Sequence, residues 1–102
     1  MSRREQLEAM LESDPADTFL RYALAMELDN EGEHDRSLEL YQGLIGDATP
    51  YVPAFFMSGQ QLARLGREDQ AREILTAGID EAQRQGDLHA AGEMREFLAS
   101  LG

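Results

Sequence analysis

Apolar residues recur along the chain at the three- and four-residue steps of amphipathic helices, and no stretch alternates as a half-buried strand would. Leu7, Met10 and Leu11 stripe a first helix over about residues 3–12, which the Asp14-Pro15 step closes because a residue before proline is pushed out of the helical region. Asp14 then reads as the N-cap of a second helix, with Pro15 in its first position and Asp17 near the positive end of its dipole. This helix is expected over 15–30, with Phe19, Leu20, Ala23, Leu24 and Leu28 as its buried stripe. A turn at Gly32, free to take positive φ, leads into a third helix that carries Leu38, Tyr41, Leu44 and Ile45 inward. Thr49-Pro50 or Val52-Pro53 opens the fourth, striped by Phe55, Gly59, Leu62 and Leu65 as far as Gly66. Ala71, Ile74, Leu75 and Ile79 stripe a fifth over about 68–84. Gln85-Gly86-Asp87 then breaks the chain, and Leu88, Ala91, Met94, Leu98 and Leu101 mark a sixth. The pattern predicts an all-α chain of about six helices whose short turns make successive helices antiparallel neighbours.

Gly32 and Gly66 stand 34 residues apart, and the helices around them repeat at the same spacing. Tyr22 falls on Phe56, Ala25 on Gly59, Leu28 on Leu62, Asp35 on Asp69, Leu40 on Ile74, Tyr41 on Leu75 and Ile45 on Ile79. A period in this range means stacked helical hairpins, none able to bury its apolar face alone, and hence an α-α superhelix that presents a surface. Small residues at Ala25, Gly59, Ala71 and Gly78 let helix backbones approach closely.

These residues resemble the tetratricopeptide repeat family, whose 34-residue pattern sets aromatic and small residues at fixed places in two helices. In the second unit Phe55 falls at the family's first aromatic position, Ser58-Gly59 at its Leu-Gly, Leu62 at its next aromatic and Leu65-Gly66 at its turn. Ala71 takes the place of the small residue in the second helix, and Leu75 that of its aromatic. In the first unit Leu24-Ala25, Leu28, Gly32, Ser37, Tyr41 and Thr49-Pro50 fit, while Arg21 stands where Trp is usual and Glu31 where an apolar residue precedes the turn. One period earlier, Leu7, Met10, Leu11 and Pro15 keep the register. The chain thus reads as a single domain over 1–102, similar to small bacterial-type members of the family. It comprises a half repeat at 3–14, repeat one at 15–50, repeat two at 51–85 and a capping helix at 86–102, with two extra residues in the turn around Gly86.

The resemblance implies a non-enzymatic interaction module or scaffold that docks a partner's extended or helical peptide in a concave groove. The side chains it points into that groove are Phe19, Tyr22, Met26 and Asp29 of the second helix and Phe56, Gln60, Ala63 and Arg64 of the fourth, continued by Met94 and Phe97. Tyr, Phe and Met offer large contact area and adaptable shape, so the expected partner is a protein or peptide with apolar anchors. The Lys and Asn pairs with which one branch of the family grips a C-terminal carboxylate are missing from this set. A stripe of Met and aromatics is also what a core looks like, so the packing of Tyr22, Met26 and Phe56 on one another and on the last helix is the competing expectation. Leu7, Met10 and Leu11 lie on a helix with no predecessor, so the alternative function is a self-associating assembly module, with the chain a monomer or a weak homodimer.

Charge narrows the partner. The net charge is −11, from 20 acidic residues against nine basic ones, all of them Arg. Such a surface repels phosphate backbones and anionic lipid heads, which excludes nucleic acid and membrane surfaces as expected partners. The excess is uneven, −8 over residues 1–51 against −3 over 52–102, so a basic partner would favour the first half. The lysine-free acidity fits a high-salt cytoplasm and fits coding bias equally. With no Cys there is neither a disulfide framework nor a thiolate metal site, and no opening apolar run reads as a signal peptide, so the cytoplasm is the expected compartment.

Catalysis finds little to work with in two His and scattered carboxylates, and no enzyme activity, cofactor or metal is expected. His89 and Glu93 share a helical face four residues apart but have no third ligand at a recognisable spacing. His34 reads as a residue that packs or caps at its turn. The carboxylates between Glu27 and Asp35 lack the residue order of a calcium loop and read as a solvated face.

Overall fold

Three of the five connections between helices are built around a glycine with positive φ, 83° at Gly32, 78° at Gly66 and 76° at Gly86, in a computed structural model that describes residues 1–102. The same pair of backbone hydrogen bonds closes each of these turns. Gly32, Gly66 and Gly86 donate to the carbonyls of Asp29, Ala63 and Gln83 at 3.0–3.1 Å, and the following residues Glu33, Arg67 and Asp87 donate to Leu28, Leu62 and Ala82 at 2.8–2.9 Å. This Schellman arrangement satisfies carbonyls that a helix end would otherwise leave unpaired, and it needs one residue in the left-handed region.

Six helices result, α1 (Arg3–Ser13), α2 (Thr18–Asn30), α3 (His34–Ile45), α4 (Val52–Arg64), α5 (Glu68–Arg84) and α6 (Leu88–Ser100), and there is no strand. The expected start of the second helix is corrected. Asp14 is the C-cap of α1, its N–H bonded to the Met10 carbonyl, and Pro15 and Ala16 form a turn. Asp17 is the N-cap of α2, accepting from Leu20 N at 2.8 Å, so its side chain rather than Asp14's satisfies the first amides. Of the two proposed starts for the fourth helix the structure uses Val52-Pro53, with proline in the first turn, where its missing N–H costs no helical bond. Ser2 and Glu5 close α1 with a reciprocal capping box.

The chain forms two compact units, Met1–Thr49 and Pro50–Gly102. In the first, α2 packs against both α1 and α3. Leu7, Ala23, Leu24 and Leu28 make a buried cluster, with Leu11, Leu20 and Leu40 packed around it. Each fully buried Leu contributes about 1.5–3 kcal/mol relative to an exposed one. Ion pairs stitch the surface over this core, Arg4 to Glu31 at 2.8 Å, Arg36 to Glu8 at 3.3 Å and Arg3 to Glu27 at 3.7 Å. Between α2 and α3 the buried Ser37 hydroxyl donates to the Ala25 carbonyl at 2.6 Å.

In the second unit α5 packs against both α4 and α6, and α6 also touches α4. Here glycines make the room. A Cβ on Gly59 would lie 2.7 Å from Leu75 Cδ2, and one on Gly78 would lie 2.5 Å from Phe55 Cβ and 2.7 Å from Met94 Sδ. Ala71, Leu75, Ala82, Ala91 and Met94 are fully buried in the same layer. Leu88, the first of the apolar residues that mark α6 in the sequence, is 71% exposed at the first position of that helix. No helix is long and apolar enough to cross a membrane.

Candidate functional site

The face of α2 expected to meet a partner carries Phe19 at 68% and Met26 at 38% exposure, seven residues and two turns apart. Tyr22 lies between them, half-buried, its ring set edge-on to Tyr41 of α3 with centroids 6.0 Å apart. The helix therefore shows two apolar side chains outward and uses the third to join its own hairpin. Phe19 was expected in the buried stripe as well as on the binding face, and its exposure removes it from the core. Asp29 is engaged in the hairpin turn, with Oδ1 2.9 Å from His34 Nδ1 and only 11% of the side chain exposed. That pair links the last turn of α2 to the first of α3.

In the second unit Gln60, Ala63 and Arg64 of α4 line an open recess of about 490 Å³ together with Phe97 of α6. Phe56 stands edge-on to Phe97, ring centroids 6.0 Å apart, so these two rings support one another across α4 and α6. Met94, expected to continue the same surface, is fully buried against Gly78 and is corrected to a core residue. A second depression, on the outer face of α5, is lined by Arg72, Glu73, Thr76, Ala77 and Asp80, and no motif marks these residues in the sequence.

The residues assigned to self-association separate. Leu7 belongs to the core cluster and Leu11 packs against it, while Met10 is 51% exposed. The apolar stripe of α1 is therefore turned mostly onto α2. His89 Nε2 and Glu93 Oε1 approach to 3.3 Å on the surface of α6, and no group of three His, Asp or Glu side chains gathers anywhere on the chain.

The charged side chains are largely tied to one another. Arg21, at the position where Trp is usual, reaches Asp47 with both terminal nitrogens, at 2.6 and 3.3 Å, and the Ala16 carbonyl at 3.0 Å. It holds the Asp47 carboxyl below the usual carboxylate range, chiefly through that hydrogen bond. Glu31 raises the already high pKa of Arg4 by the same kind of contact. In the second unit Gln85 and Arg84 lower the Glu81 carboxyl, and Gln85 also donates to the Pro50 carbonyl at 2.8 Å.

No family model and no curated protein matches the chain, whereas solved structures do. A tetratricopeptide repeat domain protein from Salinibacter ruber, determined in solution, is 31% identical over 86% of this chain and 89% of its own, with a TM-score of 0.80. A crystal structure of a tetratricopeptide repeat domain protein from the same organism gives 29% identity over 83% and 94%, with a TM-score of 0.74. A protein from Bordetella parapertussis, also solved in solution, is 29% identical over 99% of this chain and 88% of its own, with a TM-score of 0.82.

Proposed function

This chain belongs to the tetratricopeptide repeat family, and on that premise we propose that it is a non-enzymatic module that binds a partner peptide or helix, with the outward face of α2 as the docking surface of the first unit. Domains of this family generally mediate protein–protein interactions. The observation that carries the reading is the exposure of Phe19 and Met26 on one face of α2. A solvent-facing phenylalanine two turns from a solvent-facing methionine gives a partner large, soft apolar area to bury, and such anchors dominate protein interfaces. On the second unit the recess beside Gln60, Arg64 and Phe97 supplies a polar rim around an aromatic wall, the composition that suits an apolar anchor with hydrogen bonds at its edge.

Capture of binding proteins from native lysate, by the wild-type chain and by the Phe19→Ser, Met26→Ser variant, tests this reading. Both side chains are exposed, so the variant is expected to keep its helical circular dichroism and its melting curve. It is expected to lose a specific binder that the wild type retains; retention of every binder by the folded variant contradicts the assignment. Tyr22 and Phe56 are poorer probes, because each is paired with a ring of its own unit. Self-association through α1 has Met10 as its exposed apolar residue, and Leu7→Glu would test folding rather than assembly because Leu7 is in the core.

A further inference from the structure

We propose that the α2 face of the first unit takes a basic protein segment, one whose Arg or Lys side chains flank a bulky apolar anchor. The inference rests on the reading of the chain as an interaction module and adds the chemistry of the partner. The unit carries 12 carboxylates and four arginines, and every one of those arginines lies in an ion pair with a carboxylate of the same unit: Arg3 with Glu27, Arg4 with Glu8 and Glu31, Arg21 with Asp47, and Arg36 with Glu8. The cations are thus committed internally, and the field that reaches an approaching molecule is that of the excess of eight negative charges.

Phe19 and Met26 sit within this field as the exposed apolar patch of α2. Asp14 and Asp17 precede Phe19 in the chain, and Glu33 follows the helix. An acidic or phosphorylated segment meets repulsion with no free cation to answer it. A basic segment is drawn in, its charged heads remain in water beside the carboxylates, and its aliphatic stems cover the phenylalanine and methionine. An arginine stacked on the exposed Phe19 ring adds a cation–π contact. The second unit is the internal contrast, because its net charge is −3 and its α4 face carries Arg64.

A randomised peptide display library panned against the chain at low ionic strength tests the proposal. Enriched sequences are expected to carry net positive charge and a bulky apolar residue. A synthetic copy of the most enriched peptide should shift amide resonances along Thr18–Asn30, with affinity that falls as salt is added. It should bind on the order of tenfold more weakly to the Phe19→Ser, Met26→Ser variant. It should also weaken severalfold against Asp14→Lys, Glu33→Lys, which leaves the apolar residues alone. Neutral or acidic peptides enriched at the same resonances overturn the proposal and leave the interaction reading standing, whereas no enrichment overturns both. A basic peptide indifferent to the Phe19 and Met26 substitutions overturns the proposal, as does a dimer of the chain that those substitutions abolish.

Discussion

Within the two units of this chain different chemistry holds the paired helices together, although the units repeat one sequence pattern. Residues 34 apart, Ala25 with Gly59 and Ser37 with Ala71, occupy matching places between the paired helices. In the first unit the contact is a hydrogen bond, Ser37 Oγ to the Ala25 carbonyl. In the second it is steric, with Leu75 set against the bare backbone of Gly59. The first unit adds ion pairs over a leucine cluster, and the second adds the Gly78, Phe55 and Met94 contact. A hairpin fold thus asks for close helices and leaves open whether a polar bond or a missing side chain brings them close.

The largest expected effect comes from filling the glycine contact of the second unit. Gly78→Val places a branched side chain where even a Cβ lies 2.5 Å from Phe55 Cβ, an atom fixed to its own backbone, and is expected to cost about 2–3 kcal/mol in urea denaturation. Gly59→Ala should cost less, because its nearest neighbour is the tip of Leu75 and because alanine returns about 1 kcal/mol of helix propensity. Equal midpoints for the two variants would break this account of the unit.

Removing the polar joint of the first unit ranks next. Ser37→Ala deletes one buried hydrogen bond and is expected to lower stability by about 1 kcal/mol. Hydrogen exchange at α2 and α3 amides should speed up while α5 and α6 are unchanged; an undisturbed α2 would show that Ser37 is not what joins the pair.

The smallest effect is read by titration. Asp47 has a depressed carboxyl in the folded chain, so its contribution to stability is present above the ordinary carboxylate pKa and is lost as pH falls through the depressed value. Arg21→Gln should move the Asp47 midpoint up towards its usual value in an NMR titration, and an unmoved midpoint would assign the shift to another group.

Most of the helical plan was legible because it depends on local rules. Periodicity locates every helix, and glycine locates three of the five turns, since only that residue adopts the required φ without strain. The start of α2 is not legible in the sequence, because Asp14 and Asp17 both offer an N-cap oxygen and only the chain path brings Asp17 to the first amides. Spacing alone puts Phe19 in the buried stripe of α2, yet it sits in the first turn of that helix and is exposed. Asp29 was expected to face a partner, but a carboxylate near a helix end is equally available to a histidine five residues on. Its pairing with His34 depends on the direction of the turn, which periodicity does not encode.

The corners of the hairpins are written as Glu31-Gly32-Glu33, Leu65-Gly66-Arg67 and Gln85-Gly86-Asp87, with one residue in common. Peptide groups seal each bend, and some of the flanking side chains add to the hold: Asp87 caps α6 through Ala90 N, Gln85 reaches the Pro50 carbonyl and Glu31 pairs with Arg4, whereas Glu33 makes no side-chain cap. The charge at Glu33 can therefore be exchanged, and with it what that corner attracts, while the backbone bonds of the bend stay in place.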